Sequence, residues 1–185
     1  MSIVVVEGPD GAGKTTLIKN LRAQSKRYFV SLQNSGIPQN VLNVQCVCDW
    51  LARMAIGRVP LVCDRLSLIS EPIYGEIVRN ENILEGTYTI QDVETFLLDN
   101  VDRVIYCRPP TSAIIKGLES EQQLEGVVER IQKLTERYDW VMQMISHGGV
   151  RVITYDWTGI ELTKKFGGTP RDLEDLFFGE ARHAR

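Results

Sequence analysis

This sequence predicts a three-layer α/β fold built on a five-stranded parallel sheet, and three features carry that prediction. Five short β-branched runs alternate with stretches of helical periodicity, the pattern left by repeated strand–helix–strand units. The runs are continuously apolar, as strands covered by helices on both faces are. The first run also leads into a glycine-rich turn that opens a helix, Gly8-Pro9-Asp10-Gly11-Ala12-Gly13-Lys14-Thr15.

The first strand is read at Ile3 to Val6 and the helix after the turn at Lys14 to Gln24, anchored to the core by Leu17, Ile18 and Leu21. A second strand follows at Tyr28 to Leu32, a helix at Gln39 to Ile56, and a third strand at Pro60 to Cys63. Helices at Ser67 to Arg79 and Ile90 to Leu98 precede the fourth strand, Val104 to Cys107. There Pro109-Pro110 breaks the strand and Thr111 caps the next segment. The long helix from Glu121 to His147 carries Leu124, Val127, Val128, Ile131, Leu134, Tyr138, Val141, Met142 and Ile145 on one stripe, which is its core face. Along one edge of that stripe gather Arg130, Lys133 and Arg137, with Glu125, Glu129 and Glu136 on the other side. The basic edge either faces a phosphate or is a solvated face supported by an i,i+4 pair of Glu129 with Lys133. A fifth strand is read at Val150 to Tyr155 and a last helix after Thr169, where Thr caps, Pro170 takes the first position and Asp172 favours the positive end of the dipole.

With 185 residues, 43% hydrophobic and 24% charged, the chain fits one globular domain over residues 1–185 with a full core. A net charge of -3 argues against a nucleic-acid partner, which a broad basic surface would hold. No stretch approaches the ~20 apolar residues of a membrane span, and the first apolar run lacks a basic flank and a cleavage site, so the expectation is a cytoplasmic enzyme without a membrane partner. Cys46, Cys48, Cys63 and Cys107 lack paired zinc spacing, and Cys63 and Cys107 read as buried thiols within strands.

The turn from Gly8 to Thr15 matches G-x-x-x-x-G-K-[ST] in the strand-then-helix setting that the motif requires. Its glycines let successive N–H groups point inward at a β-phosphate, and the helix behind adds its positive end. Lys14 brings a mobile charge to the β and γ oxygens, and the Thr15 hydroxyl takes one position on Mg²⁺. Gly8, Asp10, Gly11, Ala12, Gly13, Lys14, Thr15 and Thr16 are therefore the expected ATP contacts, and the fold is that of the P-loop NTPases.

Val6-Glu7-Gly8-Pro9-Asp10-Gly11-Ala12-Gly13-Lys14-Thr15-Thr16 is more specific than a bare P-loop, and resembles the E-G-x-D-G-x-G-K-[ST]-T of the thymidylate kinase family. The resemblance implies that Asp10 leans toward the acceptor's 3′-hydroxyl or phosphate, a role suited to a carboxylate acceptor. Asp64-Arg65, followed by Ser70 and Ile73-Tyr74-Gly75, is similar to the family's D-R-[YH] segment with its downstream Ser and Ala-Tyr, with the Tyr about one residue further on. By that resemblance Ser70 and Tyr74 join the acceptor site. Physical chemistry agrees for the pair itself: Asp64 at a strand end can hold the magnesium shell, and Arg65 can clamp an acceptor phosphate with its planar fork.

Arg108-Pro109-Pro110-Thr111 resembles the family's fourth strand end before the lid, here about residues 111–130 and helical. Lys116 is the only basic residue between Thr111 and Glu129, so lid candidates are Lys116, Arg130, Lys133 and Arg137, with Arg108 as a further nucleotide contact. The family's base-reading Phe-x-x-x-Arg is absent from the helix before the third strand, where Arg53 stands at a different spacing. After the fifth strand, Asp156-Trp157-Thr158-Gly159 occupies the place where such kinases touch adenine, which makes Trp157 a candidate platform for the base.

The sheet order expected is 2-3-1-4-5, with right-handed crossovers and ligands across the carboxyl ends of the strands. The function expected is Mg²⁺-dependent transfer from ATP to a deoxynucleoside monophosphate, with thymidylate favoured by the resemblance alone; the sequence leaves room for a homodimer. The competing reading is a deoxynucleoside kinase, which needs a carboxylate to accept the sugar hydroxyl's proton. The related kinases place a Glu after the second strand, where this chain reads Gln33-Asn34-Ser35-Gly36-Ile37-Pro38. A GTPase-type switch would carry N-K-x-D, which does not occur; a catalytically silent nucleotide-binding module is the remaining alternative.

Overall fold

The computed structural model describes residues 3–24, 29–33, 40–57, 60–118, 127–159 and 176–179. Its strands are β1 (Ile3–Glu7), β2 (Val30–Gln33), β3 (Leu61–Asp64), β4 (Arg103–Cys107) and β5 (Val152–Tyr155). Between them run α1 (Lys14–Gln24), α2 (Val41–Gly57), α3 (Ser67–Tyr74), α4 (Ile90–Asn100), α5 (Thr111–Leu118) and α6 (Val127–His147). All strand pairs are parallel, in the order β2-β3-β1-β4-β5, as expected. The register sets Val6 beside Asp64 and Glu7 beside Tyr106, so the carboxyl ends of β1, β3 and β4 lie together.

Alternation along β1 builds the three layers. Ile3 and Val5 join the core beneath α2 to α6, whereas Val4 and Val6 join a second core with Leu17, Ile18 and Leu21 of α1. Each of these side chains is nearly free of water contact, and burial of that kind stabilises by roughly 1.5–3 kcal/mol per aliphatic side chain. Residues 176–179 close the second core through Phe177, and the Arg103 guanidinium donates to the carbonyl oxygens of Leu176 and Gly179. The expected helix after Thr169 otherwise lies outside the described residues.

Local chemistry explains two element boundaries in particular. At α4, Thr89 accepts from the Asp92 N–H and donates its own N–H to the Asp92 carboxylate, a reciprocal cap that fixes the first turn. In α6 the expected stripe is buried from Val127 to Ile145, but Val128 is 49% exposed and belongs to the outer face; Leu124 lies outside the described residues. The segment read as one helix, Ser67 to Arg79, changes its winding. It is α-helical to Tyr74 and then forms a π-helical turn, Gly75–Arg79, which Asn80 ends in the left-handed conformation. The returning chain crosses directly over Gly75, where a Cβ would stand 2.6 Å from the Glu81 carbonyl oxygen. Cys63 and Cys107 are buried in β3 and β4 as expected, and burial pushes both thiols up to about 12. No helix among the described residues is long and apolar enough to cross a membrane.

Candidate active site

The turn between β1 and α1 wraps around its own lysine. Lys14 is buried, and its Nζ donates to the Pro9 carbonyl oxygen at 2.7 Å. Burial, then the nearby Arg65 charge, lowers the Lys14 pKa to about 8, against the pull of Asp10, Cys107 and Asp64. Gly11, at φ 74°, lies under α5: a Cβ there would stand 2.5 Å from the Ile114 carbonyl oxygen, and a Cβ on Gly117 would stand 2.5 Å from the Gly11 carbonyl oxygen. Two glycines thus let α5 rest directly on the loop. On the other side the Trp157 indole N–H donates to the Ala12 carbonyl oxygen at 3.0 Å and stands against Gly13, while 45% of the residue stays exposed. Gly8, Ala12 and Lys14 are buried within this loop, Gly11 and Gly13 are partly so, and Thr15, Thr16 and Trp157 are exposed beside it.

Thr15 Oγ1 donates to Asp64 Oδ2 at 3.0 Å, which joins the start of α1 to the end of β3. No group of three or more His, Cys, Asp or Glu placed to hold a metal ion occurs among the described residues. A hydroxyl and a carboxylate side by side fit Mg²⁺, a hard ion that keeps several waters and takes further oxygens from phosphates.

Arg65 follows at once, and its side-chain partners are Asp10 and Tyr74. Its backbone is left-handed, at φ 71°, which no glycine eases. Its guanidinium makes an ion pair with Asp10, donates to the Tyr74 hydroxyl at 3.3 Å and lies over the Tyr74 ring at 5.0 Å from the centroid. The Tyr74 hydroxyl also accepts the Asp10 N–H at 2.9 Å. Asp10, Arg65 and Tyr74, taken from three separate segments, are thus brought into one cluster at the mouth of the loop.

Other expected site residues have different neighbours. Ser70 is buried and its hydroxyl donates at 3.3 Å to the carbonyl oxygen of Leu66, the residue just before its own helix. Arg53 is exposed on α2. Arg108 forks onto Asp139, with Nε at 2.8 Å from Oδ1 and Nη2 at 3.0 Å from Oδ2. Arg130 donates to the carbonyl oxygens of Ile77 and Val78 in the π-helical turn, and Arg137 pairs with Glu76 at 2.8 Å while lying over the Trp140 ring. The basic edge of α6 therefore spends two of its three cations on the turn after α3; Lys133 is exposed and has no ion pair with Glu129 among the described residues. Lys116 is exposed on α5, one residue before Gly117.

In the sequence Glu7 stands out only as a letter of the phosphate-loop motif and Tyr138 only as a member of the α6 stripe, neither with a site role, and Asp139 is not singled out. Glu7 has no solvent contact; its Oε1 accepts the Leu66 N–H at 2.6 Å, and its Oε2 accepts from the Gly8 N–H and the Tyr138 hydroxyl, each at 3.3 Å. Burial raises its pKa, opposed by Arg65, the Leu66 N–H, Lys14 and the Gly8 N–H. Tyr138 stacks on Tyr106, whose hydroxyl donates to Asp139 at 2.6 Å. The available signals for Glu7 were a carboxylate closing an otherwise apolar strand and its place as the first letter of the E-G-x-D-G-x-G-K motif.

No protein-family model matches the chain, and no curated protein matches it. Among solved structures it is similar to the YorR protein of Bacillus subtilis, in complex with phosphorylated GDP, at 20% identity and a TM-score of 0.64, covering 100% of this chain and 99% of that one. It is similar as well to a deoxyadenosine kinase from M. mycoides with dCMP and dCDP bound, at 15% identity and a TM-score of 0.59, covering 94% and 95%. A shikimate kinase from Acinetobacter baumannii, in complex with shikimate, shares 14% identity and a TM-score of 0.53 over 95% and 90%. With the loop geometry above, these likenesses establish the α/β P-loop fold.

Proposed function

We propose that this chain is a single-domain, thymidylate kinase-like enzyme that transfers the γ-phosphoryl group of ATP to a deoxynucleoside monophosphate, with thymidylate the favoured acceptor. The observation that carries this reading is the placement of Arg65: a partly buried guanidinium, braced by Asp10 and Tyr74, beside the loop that would hold the triphosphate. A planar fork there matches a phosphate dianion, which it can hold by two parallel hydrogen bonds. That solved structures of this fold carry dCMP with dCDP, or a phosphorylated GDP, supports a nucleotide at this mouth.

In the reaction an acceptor phosphate oxygen forms a bond to the γ-phosphorus as the bond to the β,γ-bridging oxygen breaks, and ADP leaves. The attacking oxygen is already anionic near neutral pH, so no general base is required. The protein's work is alignment and charge neutralisation. Loop N–H groups and Lys14 hold the donor, Arg65 holds the acceptor with Asp10 facing its sugar or phosphate, and Lys116 on α5 is the lid cation. Mg²⁺ bound by Thr15 and Asp64 would neutralise β and γ oxygens. Trp157, with its half-exposed indole beside Gly13, suits the adenine.

The second reading, a deoxynucleoside kinase, is favoured by the likeness to a deoxyadenosine kinase. It needs a free carboxylate near the sugar hydroxyl, whereas Asp10 is paired with Arg65 and Glu7 is sealed from solvent. A coupled ADP-release assay over the common ribo- and deoxynucleoside monophosphates, with nucleosides as controls, tests the choice. A deoxynucleoside monophosphate should turn over fastest; faster turnover of any nucleoside overturns the proposal.

A further inference from the structure

Glu7 is a carboxylate with 0% exposure at the end of the sheet's central strand, where another Val would pack without difficulty. An ionised carboxylate in such a place costs several kcal/mol unless its oxygens are well satisfied. All three of its partners are donors: two backbone N–H groups and the Tyr138 hydroxyl. The shortest of these bonds, 2.6 Å, goes to Leu66, which is 59 positions away and directly follows Arg65.

That bond brackets a strained residue. The Arg65 N–H donates to the Val6 carbonyl oxygen at 3.0 Å, and the next N–H along the chain, from Leu66, donates to the Glu7 side chain. The amides on both sides of the Arg65 Cα are therefore held by consecutive residues of β1, which leaves its φ and ψ little freedom. A left-handed conformation costs a non-glycine residue about 1–2 kcal/mol and persists only where its surroundings determine it. Relaxed to an ordinary extended conformation, Arg65 would carry its side chain away from Asp10 and Tyr74. The opposite wall is tied to the same carboxylate, because Tyr138 packs edge-on against Tyr74, at 6.3 Å between centroids, under the guanidinium.

We infer that Glu7 is the positioning residue of the acceptor site: by gripping the Leu66 N–H it locks the left-handed turn at Arg65 and so aims the guanidinium at the acceptor. This rests on the reading of Arg65 as the acceptor's phosphate clamp. A carboxylate that served only to fill the core would have no reason to act through Arg65, and this separates the two roles.

The test is a double-mutant cycle with Glu7→Gln and Arg65→Ala, read by KM for the monophosphate and KM for ATP. Glu7→Gln should raise the acceptor KM tenfold or more and leave the ATP KM within about threefold, and in the Arg65→Ala background its effect should vanish. Equal losses in both backgrounds, or a loss confined to ATP, overturn the inference. A second measurement does not depend on the substrate: Arg65→Gly should melt about 2–4 °C above Arg65→Ala, as a left-handed residue requires, and the gap should shrink when Glu7→Gln is added. A gap unchanged by Glu7→Gln also overturns it. Should wild type phosphorylate no monophosphate, the proposed function falls while the melting comparison still decides the role of Glu7. Should Glu7→Gln yield no folded protein, Tyr138→Phe removes one donor to the same carboxylate. It should raise the acceptor KM about threefold through Arg65, and an unchanged KM counts against the inference.

Discussion

Lys14 Nζ donates to the Pro9 carbonyl oxygen at 2.7 Å, so the ammonium proposed to meet the ATP phosphates is held by the loop that carries it. The same enclosure lowers its pKa to about 8, first by burial and then by the Arg65 charge. Bound phosphate oxygens favour the charged form, so nucleotide binding above pH 8 must take up a proton. Affinity for ATP should fall up to tenfold per pH unit above pH 8. Titration calorimetry at pH 8.5 in two buffers of different ionisation enthalpy should report that uptake, and Lys14→Arg should abolish it. For the folding equilibrium the sign is the reverse of the usual lysine. Because the unfolded chain protonates Lys14 up to about pH 10.5, the stability contributed by this group is present above that pH and lost as pH falls through about 8. Denaturant midpoints of wild type and Lys14→Met should converge as pH rises across that window.

The bond from Thr15 Oγ1 to Asp64 Oδ2 leads to a second expectation. In the proposed site these two protein oxygens hold the Mg²⁺, so losing one should weaken metal use more than nucleotide binding. Asp64→Asn should raise the Mg²⁺ concentration for half-maximal rate at least tenfold, while ADP binding measured without Mg²⁺ changes by less than threefold. An unshifted Mg²⁺ dependence would remove Asp64 from the metal site.

How legible this was depended on the range of the interactions. The five strands, their order and the phosphate loop were readable because apolar continuity and a local eight-residue motif report them. Asp10, Arg65 and Tyr74 could be named from local segments, but not their mutual contact, nor the left-handed backbone at Arg65, since nothing about an arginine announces φ 71°. Glu7 and Tyr138 are 131 positions apart, and Tyr138 looked like one more apolar member of a helix stripe. The π-helical turn was unreadable because Gly75–Arg79 has ordinary helical periodicity. The chain crossing over Gly75 at its start is a tertiary contact, and the partners this turn gives Arg130 and Arg137 are tertiary as well.

Those partners divide the lid candidates by experiment. Arg130 supplies donors to the Ile77 and Val78 carbonyl oxygens, so Arg130→Ala should cost about 2 kcal/mol, a fall of several degrees in Tm. Lys116 lies next to the contact of Gly117 with Gly11, so Lys116→Ala should lower kcat at least tenfold with little change in ATP KM or Tm. A loss of kcat in Arg130→Ala at unchanged Tm, with Lys116→Ala fully active, would exchange the two roles.

The last expectation concerns what Arg65 contributes by being held rather than merely charged. Its guanidinium is clamped between the Asp10 carboxylate and the face of Tyr74, so the fork is aimed before any acceptor arrives and little side-chain entropy remains to be lost. Truncation removes this clamp and also leaves Asp10 as an uncompensated negative charge facing a dianion. Both effects act against a charged acceptor and neither against a neutral one. Arg65→Ala should therefore cut kcat/KM for the best monophosphate by 10²-fold or more, on the order of 2.7 kcal/mol, while basal ATP hydrolysis changes little. Arg65→Lys keeps the charge but loses the fork and the stacking on Tyr74, and should recover only part of the loss. Adding Asp10→Asn to Arg65→Ala should restore some monophosphate binding by removing the repulsion, seen as a lower acceptor KM than in the single mutant. If Arg65→Ala leaves the monophosphate reaction intact, or if the added Asp10→Asn only deepens the loss, the pair does not act on an acceptor phosphate, and the nucleoside kinase reading takes its place.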